Sequence, residues 1–243
     1  MKTLHRLIVT SATYRQSSAA RPDLTERDPY NVLLARQNRL RVESEIVRDL
    51  ALTASGLLTP TVGGPNVYPT QGDDHSALGF NSRFTWPSST GKDRYRRGLY
   101  TFFKRTTPYP MFMTFDSPDS NTSCTRRDRS NTPLQALTMW NDPVFVECAQ
   151  ALAQVAANRA PTDARVSYIF RRCLGRHPAT AEQHILEELF HTQQRRYTDA
   201  KDRVFSIVGD YTSVEETVSG PELAALVDVA RAVMNLDEFI TRE

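Results

Sequence analysis

A chain of 243 residues is long enough to bury a substantial apolar core, in one large domain or two small ones. With 40% hydrophobic and 24% charged residues it has an ordinary globular composition, which excludes a mostly disordered chain. A net charge of +2 is too small for nucleic-acid binding through overall charge, and no stretch is long and apolar enough to span a membrane.

Leu4, Leu7 and Ile8 recur at helical spacing, so a short amphipathic helix is expected over residues 3–10, interrupted by His5 and Arg6 and therefore no secretory leader. Asp28 before Pro29 has the form of a cap followed by proline at the first helical position, and predicts a helix over 29–39. From Val42, apolar residues at Ile46, Leu50, Ala54 and Leu57 predict a second helix stopped by Gly56. Glu43, Glu45, Arg48 and Asp49 are placed on its solvent side.

Residues 58–95 follow no period and are rich in turn formers, so a long loop is expected near 58–95. Residues 96–115 are the one stretch suited to extended structure, with "RRGLYTFFKRT" reading as a strand. Two helix starts then follow in succession. Asn131 or Thr132 and then Asp142 supply the caps, and Pro133 and Pro143 the first turns. Pro143 cannot donate its amide, so two helices must meet there at an angle. Leu134, Leu137, Phe145, Cys148, Leu152 and Val155 are their expected buried faces.

Beyond residue 158 the pattern is helical throughout. Thr162 opens a helix that Gly175 stops, Thr180 with Gln183 forms a capping box for a helix to about residue 196, and a shorter helix covers 199–208. Gly220-Pro221 opens the last helix, with Leu223, Leu226, Val227, Ala230 and Met234 along one side. The expected fold class is mainly α: an irregular helical domain with a short extended segment near 96–115 and a long loop near 58–95. Residues 1–243 read as one domain, with a loop-rich part over 1–158 and a bundle over 159–243 as its subdivision.

Cys124, Cys148 and Cys173 show no CxxC or CxxCH spacing, the histidines are scattered, and no serine sits in a GxSxG setting. No metal site or cofactor is therefore expected in this chain. Glu43 and Glu45 face different sides of a helix and cannot pair by themselves. The basic residues crowd the centre, from Lys92 to Arg129, whereas acids predominate after residue 181. Arg126, Arg127, Arg129 and Asn131 stand just before a helix start, where unpaired amides and the positive dipole end favour anions, so they are the anion-binding candidates. Asp116, Asp119, Asp128 and Asp142 are the supporting polar candidates, and an ion network between them and the arginines is the competing structural reading. Asp116, Asp119, Asn121 and Asp128 also suggest an oxygen-rich calcium loop, but the EF-hand spacing is missing. Aromatic residues between Tyr95 and Phe115 interleave with cations as a strand-binding surface would, although a core role is the better use of them.

"LHRLIVTSATYRQSS", "NRLRVESEIVRDLALTASGLL", the block from "RRGLYTFFKRT" through "NDPVFVECAQALA", and "RAVMNLDEFITRE" together resemble the planctomycete PSD family, a domain of unknown function that closes large exported proteins. The resemblance implies an upstream cytochrome c-like domain in relatives, with haem c bound there and not in this chain. It implies a periplasmic or cell-surface setting, and the chain is then expected to be a fragment of a longer protein. The expected function is a non-catalytic helical module of such a protein, with an upstream cytochrome c-like domain, or its split-off polypeptide, as partner. An enzyme or enzyme subunit acting on anionic polysaccharide, with an anionic glycan as ligand, is the first alternative, and a nucleic-acid-binding module the second.

Overall fold

The computed structural model describes residues 1–24, 26–71, 85–209 and 218–242. Among them the chain is mainly helical, as expected, and it divides into two compact units: Met1–Val42 with Ile240–Glu243, and Glu43–Phe239.

Unit one holds α1 (Lys2–Thr10), a 3-10 turn at Pro22–Leu24, and β1 (Leu40–Arg41) paired antiparallel with β2 (Thr241–Arg242). Leu40 stands opposite Arg242, and Val42 N–H donates to Ile240 O at 2.9 Å. The helix expected over 29–39 does not form. The Asp28 carboxylate instead accepts the amides of Val32 and Leu33, both at 2.8 Å, and wraps the chain into a turn. Asn31 and Leu34 have positive φ, 52° and 53°, which an α-helix does not tolerate. The buried Asn31 amide then donates to Arg36 O at 2.7 Å and accepts from Arg36 N–H, closing the loop.

Unit two begins with α2 (Ser44–Ser55), ended by Gly56 at φ 81°. Its buried face runs through Val47, Ala51, Leu52 and Ala54, one residue on from the expected one, so Ile46 is exposed and Arg48 is 1% exposed. The reason lies in what crosses it. Residues 91–100 lie against α2 as two 3-10 turns, Gly91–Tyr95 and Gly98–Tyr100, and supply partners for polar side chains. Arg48 Nη2 donates to Arg94 O at 2.7 Å, and Asp49 accepts from Gly98 N–H at 2.6 Å while pairing with Arg97 at 3.0 Å. Glycine is required at position 98, because a Cβ there would lie 2.7 Å from the Glu45 carbonyl oxygen.

The strand expected in 96–106 is therefore absent. Its backbone meets the preceding loop in single parallel bridges, Thr59 with Arg96 and Val67 with Thr101, beside side-chain bonds from Arg96 to Pro65 O at 2.9 Å and from Gly63 N–H to the Tyr100 hydroxyl at 2.8 Å, and residues 110–114 form α3 (Pro110–Thr114). Residues 60–66, 68–71 and 85–90 carry neither helix nor strand, and the centre of the expected loop, 72–84, lies outside the described residues.

The bundle follows as α4 (Pro133–Asn141), α5 (Pro143–Arg159), α6 (Arg165–Leu174), α7 (Thr180–Asp199), α8 (Val204–Val208) and α9 (Gly220–Met234). Both proline starts occur as expected. Thr132 Oγ1 accepts Gln135 N–H at 3.4 Å, and Asp142, extended at ψ 133°, ends α4 and caps α5 by accepting Val144 N–H at 2.9 Å. α9 is buried nearly all round, including Leu223, Leu226, Val229 and Val233, and packs on α5, α6, α7 and α8. Two expected caps differ. A 3-10 turn at Thr162–Ala164 precedes α6, so Thr162 does not cap it, and Glu182 rather than Gln183 closes the start of α7 by accepting Ala179 N–H at 2.7 Å. No helix among the described residues is long and apolar enough to cross a membrane.

Candidate functional site

The arginine loop leads from α3 to α4, and its geometry is set at both ends. Asp116, at φ 60°, accepts Ser130 N–H at 2.7 Å, Ser130 Oγ–H at 2.8 Å and the Gln135 side-chain amide at 3.3 Å. Gln135, 2% exposed, also donates to Thr114 O at 3.1 Å. These bonds pin the mouth of α4 against the end of α3, so residues 117–129 form a closed excursion.

Of the anion-binding candidates, Arg127 and Arg129 turn toward α2. Arg127 Nη1 donates to Glu45 Oε2 at 2.8 Å and to Glu43 Oε2 at 3.2 Å, and Arg129 lies 3.7 Å from Glu43. Glu43 is the N-cap residue of α2 and Glu45 lies in its first turn; the two carboxylates converge on one guanidinium although helical spacing alone would separate them. Burial alone would raise the Glu45 pKa. Hydrogen bonds from Arg127, from its own amide and from Ser44 outweigh that and hold the carboxyl below its ordinary value. Arg126 and Asn131 are exposed.

Three of the supporting aspartates have other work. Asp116 closes the loop, Asp142 caps α5, and Asp119 accepts from the Asn121 amide and side chain at 3.0 and 2.9 Å, bonds that lower its pKa. Asp128 is exposed. Arg127 and Arg129 are thus tied to the glutamates of α2. Among the described residues no group of three or more His, Cys, Asp or Glu comes together as a metal-binding set.

Next to this loop the starts of α3, α4 and α5 enclose a pocket of about 420 Å³, lined by Tyr109, Met111, Leu134, Leu137, Thr138 and Asn141 among others. Three of its polar side chains are bonded to backbone carbonyls: Tyr109 O–H donates to Thr70 O at 3.0 Å, Thr114 to Pro110 O at 3.2 Å, and Asn141 to Leu137 O at 3.0 Å. Burial pushes the Tyr109 phenol above its ordinary pKa, so it stays protonated. Leu134 and Leu137, expected to be buried, are 66% and 56% exposed beside the pocket mouth. The aromatic run is core only in part: Tyr109, Phe112 and Phe115 are buried, whereas Tyr95, Tyr100, Phe102 and Phe103 are half-buried; Trp86 stacks on Tyr109 at 5.9 Å, and Phe112 meets Tyr109 edge-on at 5.3 Å.

Several ion pairs escaped sequence reasoning because their partners are far apart in the chain. Glu147 accepts from Arg94 at 2.9 Å and Tyr95 at 2.7 Å. Arg176 forks between Glu182 and Glu238 at 2.7 Å each, and Arg165 pairs with Glu222. The visible signal was the acidic surplus after residue 181, which these arginines meet in part.

In comparison with known proteins, the family model described as PSD1, protein of unknown function (DUF1553), matches residues 1–190. No curated protein and no solved structure matches the chain.

Proposed function

The chain belongs to the PSD1 family of proteins of unknown function, and on that premise we propose that it serves as a non-catalytic helical module of a cell-surface or periplasmic protein, working beside a cytochrome c-like domain. The observation that supports the non-catalytic part of this reading is the Arg127 clasp; the setting and the neighbouring domain come from the family resemblance alone. The guanidinium best placed to take an anion at the mouth of α4 is spent on Glu43 and Glu45, so the loop acts as a strap on the start of α2. Tyr109, Thr114 and Asn141 of the adjacent pocket are likewise bonded to backbone carbonyls.

The Arg127→Ala variant tests the reading. The pair is about one-third exposed on the arginine side, so its loss should lower stability by about 1 kcal/mol or less in chemical denaturation. The parent and the variant should behave alike on immobilised heparin or polygalacturonate, because any retention would come from cations other than Arg127. Salt-sensitive retention of the parent that disappears in Arg127→Ala would replace this reading with an anionic polysaccharide site.

A further inference from the structure

Unit one lacks what ordinarily supports a short helix. α1 has nine residues and buries none of them, and a helix of that length is marginal in water unless its amphipathic face packs against something. Leu4, Leu7 and Ile8 share one face at i, i+3 and i+4 spacing and are 52, 68 and 47% exposed. Lys2 and Arg6, four apart, share the opposite face. Large exposed apolar side chains in this concentration mark a surface that is covered in use.

Charge indicates what covers it. Residues 1–42 hold eight lysines and arginines against three acids, with none of the acids before Asp23, although the whole chain nets only +2. We propose that this face of unit one, centred on α1, docks on an anionic lipid bilayer. α1 lies in the interfacial plane with its leucines and Ile8 at the acyl boundary, and Lys2 and Arg6 reach to the headgroup phosphates. A two-fold pairing would bring together two units that each carry eight lysines and arginines against three acids, whereas acidic headgroups neutralise that excess. The proposal is drawn from unit one alone and stands apart from the reading of unit two.

Flotation of the full chain with vesicles of equal parts phosphatidylglycerol and phosphatidylcholine tests it. Binding is expected at low salt, should weaken tenfold or more at about 0.5 M salt, and should be absent on phosphatidylcholine alone. Leu7→Glu should abolish binding without altering the thermal unfolding of the chain, because Leu7 is outside the core. Joint Lys2→Gln and Arg6→Gln substitution should weaken it roughly thirtyfold, at about one tenth-power step and a half for two lost cations. No binding to the anionic vesicles, or equal binding to both kinds, would overturn the proposal. So would a dimer in sedimentation that Leu7→Glu dissolves, since the face would then belong to a second copy.

Discussion

At the scale of single residues, Arg48 and Gly98 are the sites most exposed to test. Arg48 is buried with one hydrogen bond from Nη2, while its Nε and Nη1 make none among the described residues. An ion buried with unmet donors contributes little net stability, and an apolar group of similar length can replace it at small cost. Arg48→Met should therefore change the unfolding free energy by no more than about 1 kcal/mol, and Arg48→Ala, which leaves a cavity, should cost about 3 kcal/mol. Chemical denaturation of the two variants decides between a packing role and a larger electrostatic one. Gly98→Ala should cost more than about 2 kcal/mol, because the new methyl meets backbone at the Glu45 carbonyl and cannot be relieved by a rotamer change; a thermal shift of less than a degree or two would refute that close approach.

These residues also show how far the sequence could be read at this scale. Arg48 was placed on the solvent side because charge normally marks it, and the turns that cover it are contributed by residues 91–100, which carry no periodic signal. Arg127 reads in the sequence as an anion-binding candidate, or as a partner of Asp116, Asp119, Asp128 or Asp142. Its partners, Glu43 and Glu45, lie more than eighty residues away, and nothing local distinguishes them from any other helix-start glutamates.

At the scale of elements, local chemistry succeeded where it was self-contained. Asp142-Pro143 carries its own cap and its own break, so both the end of α4 and the start of α5 were legible. α9 was legible because its apolar residues recur in register with the helix. Asp28-Pro29 looked identical to a helix start and was not one, because the asparagine at position 31 and the strained Leu34 take left-handed conformations that redirect the chain. The strand anticipated near residue 100 failed for a tertiary reason: the segment meets α2 edge to face, and no second strand runs beside it beyond single bridges.

At the scale of the whole molecule, titration should limit stability at both ends of the pH range. The Glu182 pKa is lowered to about 2, chiefly by hydrogen bonds from Arg176 and then by the Ala179 amide, and that of Glu45 is also lowered. Both lie below the ordinary value of 4.5, so the unfolded chain takes up protons first, and the stability these groups supply is lost as pH falls below about 4.5 toward 2. The opposite sign holds in alkali. Burial pushes the Cys148 thiol from 9.0 up to about 12, and burial with the Glu147 hydrogen bond pushes Tyr95 from 10.0 up to about 12. The unfolded chain then loses protons first, and stability falls between about pH 9 and 12. Urea midpoints measured across pH should fall off on both sides, with the acid-side loss smaller in Arg176→Ala; a midpoint unaffected down to pH 2 would show that these carboxylates contribute nothing.

The two-residue ladder of β1 and β2 has a mechanical consequence. Leu40 faces Arg242, so tension applied to the outer flanks of unit one pulls on the same end of both strands and opens the ladder pair by pair, as a zipper opens, instead of shearing all its bonds together. Residues 43–239 enter and leave between those strands. The helical bundle would therefore carry load only after this clasp has peeled apart, and the clasp, a few hydrogen bonds deep, acts as a low-force release placed in series before the core.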